Sequence, residues 1–181
     1  MATMRRQTTL LLSLLIFVSI FFSGCNALRK QTIEDFGEEP VSTFILVRHA
    51  EKDYGGDPVL TVQGTARAER LMEILKNTDL DAVYSTQTKR TMATGQPTAD
   101  DHGLNIIPYA PNQLEFFSKE LKRLYKGKTV LVVGHSNTTP ALANYLTNTN
   151  QFPRFSELDY TNLYVVTLPR IGKPRVLKMR Y

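Results

Sequence analysis

From residue 43 onward, short apolar runs alternate with stretches whose apolar positions recur at helical spacing, the pattern of an α/β domain. Thr43-Phe44-Ile45-Leu46-Val47 is a continuous apolar run, suited to a strand covered on both faces. Thr61 can cap a helix that runs to Leu75 and turns Ala66, Leu71, Ile74 and Leu75 inward. Asp81-Ala82-Val83-Tyr84 reads as a second strand, and a helix from Lys89 to Asp101 stops at Gly103. Asn105-Ile106-Ile107-Pro108 is a short strand, followed by a helix from Gln113 to Tyr125. Thr129-Val130-Leu131-Val132-Val133 is the clearest central strand. Pro140 stands near the start of a helix through Leu146, where its missing N–H is tolerated. Tyr164 to Leu168 and Arg175 to Met179 are closing strands; the second alternates as an edge strand would. No internal repeat or low-complexity tract interrupts this order.

The first residues follow a different rule. MATMRRQTTLLLSLLIFVSIFFSGC has a positive start at Arg5 and Arg6, an apolar run from Leu10 to Phe22, and small residues before Cys25. The run is shorter than the ~20 residues a spanning helix needs. Phe22-Ser23-Gly24-Cys25 resembles the lipobox of bacterial lipoproteins. That resemblance implies cleavage before Cys25, diacylglycerol on its thiol, and a lipid-anchored protein of the bacterial cell envelope. The expected organisation is a signal peptide over 1–24, a polar tether over 25–41 and one domain over 42–181.

Composition narrows the chemistry. The 181 residues include 42% hydrophobic and 22% charged positions, ordinary for a globular protein. Without the leader about 157 residues remain, enough for one autonomous core. The net charge of +5 is spread through mixed stretches such as KELKRLYKGK, so no basic stripe suited to nucleic acid forms. One cysteine and three histidines exclude a disulfide framework and a Cys-rich zinc site. No H-x-x-x-H or H-E-x-x-H pair is present, so neither a metal nor another cofactor is expected.

Three polar clusters follow three strands. The first strand leads into Arg48-His49-Ala50-Glu51-Lys52, the second into Ser85-Thr86-Gln87-Thr88-Lys89-Arg90-Thr91, and the central one into Gly134-His135-Ser136-Asn137. Ligands of open α/β sheets bind outside the carboxyl ends of strands. If these strands are parallel neighbours, two histidines and two arginines meet at one edge. Such a set suits phosphoryl transfer. A neutral imidazole is a competent nucleophile, and guanidinium forks match nonbridging phosphoryl oxygens. The Arg48 guanidinium should also disfavour protonation of His49. Backbone amides after Gly134, with Ser136 and Asn137, would add anion-binding donors.

LVRHAEK, STQTKRTMATGQPTA and VLVVGHSNTTP together resemble the signature blocks of the histidine phosphatase superfamily, also called phosphoglycerate mutase-like. The resemblance implies a three-layer α/β/α sandwich around a mostly parallel sheet. It assigns His49 as the nucleophile that becomes phosphohistidine, with Arg48, Arg90 and His135 completing the phosphate pocket. The family's Thr-Ala pair is Thr94-Gly95 here. The general acid is not fixed by the motifs: Glu115 lies near where many relatives place it, and Glu51 and Asp57 are rivals. The expected partner is a small phosphorylated substrate or a phosphoprotein. The expected reaction is hydrolysis; mutase-type transfer and phosphate binding without turnover are the alternatives. Two other motifs fail. Gly134-His135-Ser136-Asn137-Thr138 misses the last glycine of G-x-S-x-G and has no later histidine, and Gly127-Lys128-Thr129 precedes its strand.

Overall fold

A computed structural model describes residues 41–181. The leader, Cys25 and nearly all of the tether lie outside the described residues. Six strands form one sheet in the order β3-β2-β4-β1-β5-β6. They are β1 (Ser42–Arg48), β2 (Ala82–Ser85), β3 (Ile106–Pro108), β4 (Thr129–Gly134), β5 (Asn162–Leu168) and β6 (Arg175–Arg180). The first four run parallel; β5 is antiparallel to β1, and β6 is antiparallel to β5. Only β5 therefore runs against the rest.

The pleat sends alternate side chains of β1 and β4 to opposite faces, and both faces are apolar. Phe44, Leu46, Val130 and Val132 meet Leu121 of α3 (Leu114–Leu124) and Leu142 and Leu146 of α4 (Thr138–Thr147). Ile45, Val47, Leu131 and Val133 meet Leu71 and Leu75 of α1 (Val62–Leu75) and Ala99 of α2 (Lys89–Asp101). This is the expected three-layer sandwich. Among the described residues, no helix is long and apolar enough to cross a membrane.

Helix α1 begins as anticipated, with Thr61 accepting a hydrogen bond from the Gly64 amide at 3.1 Å. Its inner face differs from the expected one. Gly64, Ala68, Leu71 and Leu75 face the core, while Ala66 is exposed and Ile74 is 46% exposed. The spacing of four, three and four keeps one stripe, and Ala66 and Ile74 lie off it. Gly64 is needed there because a Cβ would lie 2.0 Å from the Glu51 carbonyl oxygen. That contact seats the segment after His49 directly on the helix. Helix α4 starts at Thr138, so Pro140 is its third residue.

Candidate active site

The register of β1 against β4 pairs Arg48 with Gly134, the last residue of each strand. The ladder continues one step further, with the His49 amide donating to the Gly134 carbonyl at 2.9 Å. His49 and His135 thus leave adjacent parallel strands side by side, their ring centroids 5.5 Å apart. The β2–β4 pairing brings Ser85 opposite Val133, so the segment opening α2 emerges at the same edge. Arg90 on its first turn reaches back, with Nη2 3.4 Å from His135 Nδ1. The four residues expected to converge do so.

Gly134 permits the crowding at this edge: a Cβ there would lie 2.7–2.9 Å from the hydroxyls of Thr138, Tyr109 and Thr139. Thr94 is a second device. Its hydroxyl donates to the Arg90 carbonyl at 2.7 Å and accepts from the Ala50 amide at 2.9 Å, tying α2 to the residue after His49. Gly95 beside it lets α2 approach the sheet, since its Cβ would stand 3.2 Å from Val133 Cγ2.

His49 is buried, and its Nδ1 lies 2.8 Å from the Ala50 carbonyl. A carbonyl only accepts, so Nδ1 carries the proton and Nε2 keeps the lone pair. Burial, then the charges of Arg48, Arg90 and His135, outweigh the Ala50 bond and lower the His49 pKa to about 4. The expected influence of Arg48 has the right sign, but burial is the larger cause. His135 is lowered to about 4 by burial first and then by Arg90 and Arg48, against Glu157. The bare Nε2 should therefore persist to low pH. The acid limb of kcat/KM is expected near pH 4; a limb near 6.5 in a pH–rate profile would contradict this environment.

Arg48 is 1% exposed and held by a segment that sequence reasoning left unassigned. One terminal nitrogen donates to the carbonyls of Ser156 and Asp159 at 2.8 and 3.1 Å, and the other to Glu157 Oε2 at 2.9 Å. Its guanidinium lies 4.1 Å over the Tyr160 ring. Nε of Arg48 and Nε of Arg90 are buried donors without a protein partner. Phe152 and Phe155 sink into the core and pin this strap, helped by the Phe155 amide on the Ser136 carbonyl at 2.9 Å. No periodicity marks the strap in sequence.

An open cleft of about 590 Å³ lies over the histidines, with Lys52, Arg90, Arg154 and Glu157 among its walls. Ser136 and Asn137 also line it; the Ser136 hydroxyl donates to Glu157 Oε1 at 2.7 Å. Glu115 does not line it. That side chain is 64% exposed on α3, paired with Lys119 at 2.7 Å, and borders a neighbouring depression beyond Pro111 and Asn112. Of its rivals, Glu51 is gripped by Arg67, whereas Asp57 lies 3.5 Å from Arg90. Glu157 was not foreseen; hydrogen bonds from Ser136 and Arg154 hold its pKa below the usual carboxylate value. Among the described residues, no three His, Cys, Asp or Glu side chains are grouped to hold a metal ion.

Residues 44–110 match the histidine phosphatase superfamily (branch 1), covering the first two of the three sequence blocks. No curated protein matches the chain. The fold is similar to that of a mycobacterial glucosyl-3-phosphoglycerate phosphatase, with 13% identity over 78% of this chain and 98% of that one and a TM-score of 0.63. It is also similar to the protein histidine phosphatase SixA complexed with tungstate (19% identity, 76% and 96% covered, TM-score 0.64). A phosphoglycerate mutase from Plasmodium falciparum is a further likeness (18% identity, 76% and 89% covered, TM-score 0.56). At these identities the likeness is one of fold.

Proposed function

From a histidine phosphatase superfamily match over residues 44–110 and the matching fold, we propose that this chain is a metal-independent phosphohydrolase working through a phosphohistidine on His49. The observation that carries the reading is the pairing of a bare His49 Nε2 with two buried guanidinium Nε donors. In the first step Nε2 attacks phosphorus, the N–P bond forms, the P–O or P–N bond to the leaving group breaks, and the leaving atom takes a proton from solvent. Water then attacks phosphorus, the electron pair returns to Nε2, and the water proton ends on phosphate or solvent. Arg48, Arg90 and His135 hold the nonbridging oxygens, whose charge persists throughout.

The carboxylates favour substrates that ask little of a general acid. Glu157 and Glu51 are held ionised by their partners, Glu115 is turned away, and Asp57 accepts from the Lys89 amide and pairs with Arg90. Phosphohistidine on a protein and phosphomonoesters with good leaving groups fit this supply of protons. The open, polar mouth with Lys52 and Arg154 suits an exposed, charged carrier. The test is phosphate release from p-nitrophenyl phosphate and from phosphohistidine by the purified full chain in EDTA. Turnover with an acid-labile, base-stable phosphoenzyme is expected; tight phosphate binding without turnover would leave only a binding protein.

The proposed setting is the bacterial cell envelope, with the chain anchored by lipid on Cys25. Labelled fatty acid fed to expressing bacteria should enter the wild-type protein and be lost in Cys25→Ser. Equal labelling of both would sink the anchor.

A further inference from the structure

The mechanism above uses His135 as a phosphate ligand, but its hydrogen bonds constrain which nitrogen carries the proton. Thr91 donates its hydroxyl proton to the carbonyls of Thr86 at 2.7 Å and Thr88 at 3.0 Å. A hydroxyl has one proton, and these two carbonyls share it, so toward Thr86 Oγ1 at 2.9 Å and Thr88 Oγ1 at 2.8 Å Thr91 can only accept. The single Thr86 proton is thereby committed. His135 Nε2 lies 2.9 Å from the same Thr86 oxygen and must donate to it. The other end of the ring agrees. Nδ1 faces Nη2 of Arg90, a group that can only donate, so Nδ1 carries the lone pair. All three links rest on side chains from one turn, and Thr86 and Thr91 are fully buried.

The two histidines are therefore fixed in opposite tautomers, with the proton on Nδ1 in His49 and on Nε2 in His135. For His49 this supplies a nucleophile. For His135 it creates a conflict, because a lone pair cannot hydrogen-bond a fully ionised phosphoryl oxygen. Only the imidazolium presents an N–H from both nitrogens.

We propose that Thr86 is a positioning residue that holds His135 with Nδ1 bare, so that a dianionic oxyanion enters the pocket together with one proton bound at that nitrogen. The proposal rests on the phosphoryl-pocket reading. The proton comes from solvent, or from the oxyanion itself when a monoanion arrives; an N–H bond forms at Nδ1 and returns to solvent or product when phosphate leaves. The charged and titratable groups facing His135 are Arg90 from α2, Arg48 and His49 from the end of β1, and Glu157 from the strap. Burial and then the two arginines keep the ring neutral until an anion offsets the arginine charge, and His49 is the rival site of uptake.

Tungstate is a dianion throughout the neutral range and is the probe. Its binding to the full chain is measured by calorimetry at pH 7.5 in two buffers of different ionisation heat, with 15N imidazole spectra of assigned histidines. In the free protein His135 should carry its proton on Nε2. On binding, one proton should be taken up at His135 Nδ1, and affinity should fall about tenfold per pH unit as pH rises. In Thr86→Val the ring can turn over and donate from a neutral Nδ1–H, so uptake should approach zero and the pH slope should flatten. Thr86→Ser should restore both. A free-state proton on Nδ1, no uptake, uptake at His49, or an unchanged slope in Thr86→Val would each overturn the proposal while leaving the phosphoryl pocket intact. Absence of tungstate binding would overturn both. Should Thr86→Val not fold, the wild-type tautomer and uptake still decide.

Discussion

Alanine in place of His49 is expected to lower kcat by about ten-thousand-fold or more while the fold and anion binding persist. The side chain supplies the one lone pair aimed from the end of β1, and nothing beside it can replace that electron pair. His135 is 5.5 Å away, but its bare nitrogen faces Arg90. The Ala50 carbonyl that orients His49 is backbone, and the His49 amide bond to Gly134 survives substitution, so the variant should fold. The decisive measurement pairs steady-state turnover with trapping of the base-stable phosphoenzyme. Both should vanish together, with tungstate affinity changed by less than tenfold. Undiminished turnover in His49→Ala would remove the nucleophile from the mechanism.

Arg48→Lys should be nearly as damaging despite keeping the charge. The planar fork satisfies two carbonyls and one carboxylate at once and still leaves Nε unpartnered, the donor that the proposed chemistry assigns to the phosphoryl group. A lysine ammonium has three donors on a different stem and no planar edge, so it cannot serve the strap and the phosphoryl group together. We expect kcat/KM to fall about 100- to 1000-fold, the loss seen when one transition-state donor is removed. Stability should fall by about 2 kcal/mol, since the bonds of a buried guanidinium to the strap are lost. Urea unfolding followed beside the kinetics checks both parts. Wild-type kinetics would show that Arg48 serves the strap alone.

The parallel strands and their polar ends were legible because buried strands leave continuous apolar runs and the chemistry sits directly after them. Thr43 to Val47 and Thr129 to Val133 could be read without a partner, whereas their adjacency was a condition that the strand order β2-β4-β1 meets. The strap from Phe152 to Tyr160 could not. Its order comes from Phe152 and Phe155 docking into a core formed by other elements, and from Arg48 binding its carbonyls. Such tertiary contacts leave no periodicity. Glu115 shows the opposite failure. The resemblance suggested a role, since many relatives place the acid near there, but α3 presents that carboxylate to Lys119 and solvent. The interior of α1 was half legible: Leu71 and Leu75 face inward as expected, whereas Gly64 and Ala68 carry the stripe that Ala66 and Ile74 were given.

The strap has a temporal consequence. Its bonds to Arg48 join residues 108 to 111 positions apart, so a costly loop closure also completes the candidate pocket. A ribosome must deliver the chain through Asp159 before the Arg48 guanidinium can be gripped. Until then the emerging chain carries His49 but lacks a finished anion cradle, so the proposed phosphohydrolase should stay silent while it is being synthesised.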